Sequence, residues 1–218
     1  MAGMTALLGL FALLTGLLMP GLQRERPSTS GDDLLTLDGA RPLIDNPRVT
    51  VWDLTWTRGV PAAMERTTSN SLWISVAPTP GTVVYWAKGA ARKAEQSPGA
   101  PVHMVVVDIK NGPVGALENK TGAVAAFPRP GSRKLFENNL VVVWDYTWTR
   151  DQATAMHFHD KDALVVYLKD GSVKSTTPDG KSDVTPRKVG MVAFNARARV
   201  HTETLVDGES RGIITEFK

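Results

Sequence analysis

The chain has 218 residues, 42% of them hydrophobic and 22% charged, with a net charge of +3 and no cysteine. That length holds one large domain or two small ones, and the balance is that of a globular protein rather than a long disordered one. The lack of cysteine excludes disulfides, thiolate metal sites, a cysteine nucleophile and a lipidated cysteine, and the scattered Lys and Arg, with no run of five or six, give no footprint for nucleic acid.

Residues 1–22, MAGMTALLGLFALLTGLLMPGL, carry no charged side chain, and Arg24, Glu25 and Arg26 follow closely. This is the pattern of an export signal, either a signal peptide or an uncleaved anchor. It predicts a periplasmic or extracellular protein whose membrane contact is confined to this segment. Residues 23–45, rich in Pro, Ser, Gly, Asp and Arg, read as a linker.

A repeat begins next. VWDLTWTR at Val51–Arg58 returns as VWDYTWTR at Val143–Arg150, and the spacing of 92 holds without a gap through Met64 and Met156. The chain is therefore read as a duplication, with copies at 46–110 and 137–218. Residues 111–136, with four Gly and three Pro, read as an irregular connection. In the second copy Trp144, Tyr146 and Trp148 alternate with Asp145, Thr147 and Thr149, the period of a strand. The repeated tryptophans, Trp52 with Trp144 and Trp56 with Trp148, are expected in core packing. Further strands are predicted at Ala163–Leu168, Ser172–Thr176, Met191–Asn195, Val200–Leu205 and Arg211–Phe217, with tight turns at Asp170-Gly171 and Asp179-Gly180. Short, closely spaced strands imply an all-β sandwich or barrel.

Toward their ends the copies align at a larger spacing: Gly81 matches Gly190, 109 residues on. The second copy thus holds a hairpin, roughly Leu168–Val189, that the first replaces with a stub near Ala77–Pro80. The first copy is the degenerate one.

Three of the four histidines fall in the second copy. His157 and His159, two apart in a strand pattern, share a face, with Phe158 on the other; His201 lies on a later strand. Three neutral imidazoles suit a first-row divalent transition metal and leave positions open for water or a small-molecule ligand. The alternative from the same residues is a polar barrel lining that binds a ligand without metal.

MHFHDKDALVVYLKDG, followed by GMVAFNARARVHTE, resembles the two cupin motifs: a His-x-His strand ending at a glycine turn, then a glycine-led strand with a third histidine. The resemblance implies two tandem jelly-roll barrels over residues 46–218, a metal site at His157, His159 and His201, and a small polar organic ligand. It does not choose among Fe, Mn, Ni, Zn and Cu. The family's usual fourth ligand, a Glu, falls at Ala163 here. Asp162 would point to the opposite face, while Glu203 shares the face of His201 and is the substitute carboxylate. Arg197, sharing a face with Arg199 near the pocket mouth, and Tyr167 are candidate ligand contacts. In the first copy the matching positions are Glu65, Thr67 and Arg92, a polar set that reads as a structural ion pair or a second ligand site. No Gly-x-Ser-x-Gly elbow, phosphate-binding glycine loop or helical His-Glu-x-x-His accompanies these residues, so no reaction is named from sequence. The missing hairpin leaves a sheet surface bare, which raises the expectation of a homodimer.

Overall fold

A computed structural model describes residues 40–56, 67–90 and 101–218, apart from the side chain of Trp56. The N-terminal segment, Glu65 and Arg92 lie outside the described residues. Those that are described belong to one compact unit spanning Gly31–Lys218.

The first copy contributes Ala40–Asp45 (β1), Val49–Trp56 (β2), Asn70–Ala77 (β3), Val83–Trp86 (β4) and Val102–Ile109 (β5). They form one antiparallel sheet in the order β1-β2-β5-β3-β4. Val124–Ala125 (β6), Ser132–Glu137 (β7), Val141–Trp148 (β8), His157–Phe158 (β9), Asp162–Tyr167 (β10), Gly171–Thr176 (β11), Ser182–Arg187 (β12), Val192–Asn195 (β13), Val200–Gly208 (β14) and Ser210–Phe217 (β15) follow. They make a second sheet, β7-β8-β15-β10-β13, and a third, β12-β11-β14-β9-β6.

The second sheet reproduces the first strand for strand, and the polar fittings repeat with it. Asn46 accepts from the main-chain N–H groups of Arg48 and Val49, and Asn138 does the same for Leu140 and Val141. Arg41 pairs with Asp53 as Arg133 does with Asp145. The indole of Trp52 donates to Asp108 at 3.0 Å, and that of Trp144 to Glu216 at 2.8 Å. Even the bulge recurs, between Pro42 and Ile44 in β1 and between Lys134 and Phe136 in β7. The hairpin that separates the copies is β11–β12, turning at Gly180, whose φ of 80° needs the absent side chain. Residues 78–82 are all that joins β3 to β4.

Three of these strands differ from the sequence reading. β1 lies in the stretch taken for a linker, and β6 and β7 lie in the stretch taken for a connection. β1 and β7 are sheet edges, where proline and charge are tolerated because one ladder side needs no partner. The composition of an edge strand therefore imitates that of a loop.

Alternation along β8 sends its side chains to two different cores. Val141 and Val143, with Leu164, Val166, Ile213 and Phe217, pack against Val49, Val51, Leu72, Ile74, Val105 and Val107 of the first sheet. The other face, Val142, Trp144, Tyr146 and Trp148, joins Val165, Tyr167, Val173, Leu205 and Ile214 inside the barrel that the second and third sheets enclose. Trp52, Leu54, Trp73 and Val106 cluster on the far face of the first sheet, so Trp52 takes the same role as Trp144. His103 bonds to Asp53 and its ring lies over Gly190, at the contact between copies rather than on open surface.

Arg48 ties the copies together. Its guanidinium, only 12% exposed, donates to the main-chain oxygens of Gly112 and Lys218 and lies 3.4 Å from the Asp162 carboxylate. Replacing Arg48 with Met leaves the largely buried Asp162 carboxylate without its cation and is expected to cost about 2–4 kcal/mol by chemical denaturation. Arg41→Met, which removes a largely exposed arginine and leaves Asp53 its bond to His103, should cost less than ~1 kcal/mol in the same assay.

Candidate metal centre

The third sheet carries the histidines inward. β9 pairs with β14 so that His157 lies opposite His201, and main-chain bonds from His159 N–H to Arg199 O and from Ala198 N–H to His159 O continue the pairing past the end of β9. His157, His159 and His201 are all buried. Their ring centroids are 4.5 to 5.1 Å apart, and one ring nitrogen from each lies within 4.8 Å of the others.

The hydrogen bonds assign the protons. His157 Nδ1 lies 2.9 Å from the carbonyl oxygen of Ala155. A carbonyl only accepts, so Nδ1 carries the hydrogen and Nε2 holds a lone pair. That lone pair accepts from Arg129 Nη1 at 3.2 Å. His201 Nδ1 is 2.8 Å from Ser175 Oγ, which also accepts from Arg199. His159 and His201 face each other through their Nε2 atoms at 3.0 Å, while His159 Nδ1 is buried without a partner.

Burial is the first cause that drives all three imidazoles toward the neutral form: His157 is lowered, His159 falls to about 4 and His201 to about 3. Their lone pairs are thus free of protons at neutral pH, as a metal site requires. Two of the three Nδ1 atoms already have oriented partners, Ala155 O and Ser175 Oγ, in the outer arrangement usual around ligating histidines. The donor set fits a divalent transition ion held by His157, His159 and His201.

Around them the structure redistributes the roles read from sequence. Glu203 accepts from Arg129 Nη2 at 2.9 Å and from the Trp148 indole at 3.2 Å. Burial would raise its pKa, but the adjacent Arg129 overrides this and holds it at about 2. Its carboxylate is therefore committed outside the histidine cluster. Ala163 is a barrel-wall residue, and Asp162 points away to Arg48 and the Arg197 N–H. Arg197 itself donates to Gly115 O on the connection, whereas Arg199 turns in to Ser175 and Asn195. The two were expected on one strand face; they occupy a turn instead, with Ala198 at φ 73°, and alternation does not apply there. Tyr167 stands in the barrel wall with the Arg187 guanidinium 4.9 Å from its ring, and burial pushes its hydroxyl up to about 12. Thr67, the counterpart of His159, is buried and donates to Ala87 O at 2.6 Å.

Arg129 is the site residue that sequence reasoning missed. β6 runs parallel to β9, and bonds from Val124 N–H to Met156 O and from Ala126 N–H to Phe158 O lay this segment along the histidine strand. It then turns inward to deliver Phe127 and Arg129. The guanidinium lies 4.0 Å from the Tyr146 ring and 4.6 Å from that of Phe127. One arginine framed by FPRPG, with no counterpart in the other copy, is a weak signal in a string of letters.

No protein-family model and no curated protein matches the sequence. Among solved structures, the chain is similar to a cupin 2 conserved barrel domain protein from Leptotrichia buccalis, at 15% identity and TM-score 0.50, covering 82% of this chain and 88% of that one. Oxalate decarboxylase matches at 9% identity and TM-score 0.55, over 81% of this chain and 72% of that one. Salicylate 1,2-dioxygenase from Pseudoaminobacter salicylatoxidans matches at 8% identity and TM-score 0.54, over 81% and 76%. This chain has the cupin fold. Within this fold the histidines sit on the inner wall of the second copy's barrel, where β9 and β14 pair.

The imidazole shifts set a pH dependence. Between the unfolded value near 6.5 and the lowered folded values, the unfolded chain binds protons that the folded chain refuses, so stability falls as pH falls. In chelator, unfolding free energy should drop by about 2 kcal/mol or more from pH 7.5 to 4.5 beyond the loss shown by His201→Gln. Denaturant titrations of both proteins at the two pH values check this, and parallel losses would contradict it.

Proposed function

We propose that this chain is a metal-binding cupin that takes a small polar organic molecule at the site of His157, His159 and His201. The observation that carries this reading is the convergence of three buried, neutral imidazoles within ligand distance of one another. When bound, the ion supplies Lewis-acid polarisation and open coordination positions. The chain's own residues orient and enclose: Ala155 O and Ser175 Oγ fix the rings of His157 and His201, Arg129 bridges to Glu203, and Tyr146, Trp148 and Tyr167 keep water from that wall. The duplicated sheet supports reading the first copy as a degenerate second barrel, and the apolar residues 1–22 support export, free or tethered.

A second reading, a ligand-binding module without metal, has its own support: Arg129 satisfies His157, and His159 and His201 satisfy each other, so the ring nitrogens largely pair without an ion.

Elemental analysis separates the two. Protein purified without chelator should hold about one transition-metal ion per chain, lost in His157→Ala/His159→Ala/His201→Ala. No metal in wild type, and none gained on incubation, would leave the binding-module reading. Ser175→Ala, which removes the partner of His201 Nδ1, should weaken metal affinity about tenfold or more in a competition titration with a chromogenic chelator.

A further inference from the structure

The charges around the histidines do not balance, and the imbalance has a direction. Arg129, 9% exposed, and Arg199 both reach the cluster, the first at His157 Nε2 and the second through Ser175 to His201. Among the described residues the one carboxylate ion-paired there is Glu203, already bonded to Arg129 and the Trp148 indole. Glu216, the other buried carboxyl of this wall, is occupied by the Trp144 indole and burial raises its pKa toward the neutral acid. Three neutral imidazoles cancel none of a divalent ion's charge, so a loaded site would carry a strong positive excess inside the barrel.

Arg129 sharpens the point. Its Nη1 donates to the His157 lone pair that a metal would take. Once that lone pair is used, Nη1 becomes a buried donor with no acceptor, and a guanidinium cannot shed its proton. The group has little freedom to turn away, since Tyr146 and Phe127 flank its plane and Glu203 holds Nη2. Its Nε is already buried without a partner. An anionic oxygen beside the ion meets both demands at once, the missing acceptor and the missing charge. A neutral hydroxyl meets only the first.

We infer that the ligand of this site is a small organic oxyanion, a carboxylate above all, received by Arg129 Nη1 with Arg199 as the second cation. This rests on the metal reading above. The strain of leaving Arg129 unpaired also makes metal and anion binding mutually favourable: each supplies what the other's arrival lacks.

Acetate and its neutral isostere acetamide are the probes, with Co2+ as the ion. In Co2+-loaded wild type, acetate should shift the visible absorption of the ion and raise the melting temperature, while acetamide at equal concentration does neither. Arg129→Lys keeps the charge but loses the fork, and Arg129→Met/Glu203→Gln removes both partners so that no buried charge is stranded. Each folded variant, checked by far-ultraviolet circular dichroism, should bind acetate about tenfold or more weakly. Equal responses to acetate and acetamide, or wild-type acetate affinity in either variant, would overturn the inference. If wild type takes up no Co2+, the metal reading fails by itself. The chelated protein then decides the anion: an acetate-specific melting shift that Arg129→Lys abolishes upholds it, and no shift overturns it.

Discussion

Everything in this molecule leans on a sheet that is buried on both faces. β8, β10 and β15 press one set of side chains against the first copy and the other set into the barrel, so the wall behind the histidines has solvent on neither side. Close packing of this kind resists small displacements. It gives the third sheet, which carries the histidines, a fixed surface to close upon. The first copy thus contributes to the site from behind, by covering a sheet that would otherwise expose a row of Val, Leu and Ile to water.

That burial also sets the electrostatics. Removing the imidazoles from water keeps them neutral and keeps their lone pairs available, while the same environment makes each unpaired polar atom costly. The barrel answers with a chain of contacts: Ala155 to His157, His157 to Arg129, Arg129 to Glu203, Glu203 to Trp148. Duplication shows what is scaffold and what is chemistry. The Trp–carboxylate pair, the Asn turns and the edge ion pairs occur in both copies, whereas Thr67 stands at the position of His159 and bonds to its own turn.

Much of this was legible beforehand for a simple reason: local periodicity and repetition are written in neighbouring letters. The alternation around Trp144, the spacing that aligns Trp52 with Trp144 and the turn at Asp179-Gly180 identify strands, duplication and hairpin without any distant contact. The same pattern put His157 and His201 on strands, whereas the pairing of those strands is a tertiary result. The reading lost its grip where the chain left regular alternation. Arg197 and Arg199 part company because Ala198 takes a left-handed conformation, and β1 and β7 escaped notice because edge strands carry the residues of loops.

By itself, then, the sequence determined an all-β duplicated fold, the unequal copies and the three histidines, since each depends on residues a few positions apart or on a constant spacing. Tertiary structure alone decided the identity of the cation at the site and the fate of Glu203. Arg129 and Glu203 are 74 residues apart, Arg48 and Lys218 are 170. Contacts at such separations are set by how sheets stack and which segment runs beside which strand, and no periodicity in the chain encodes that.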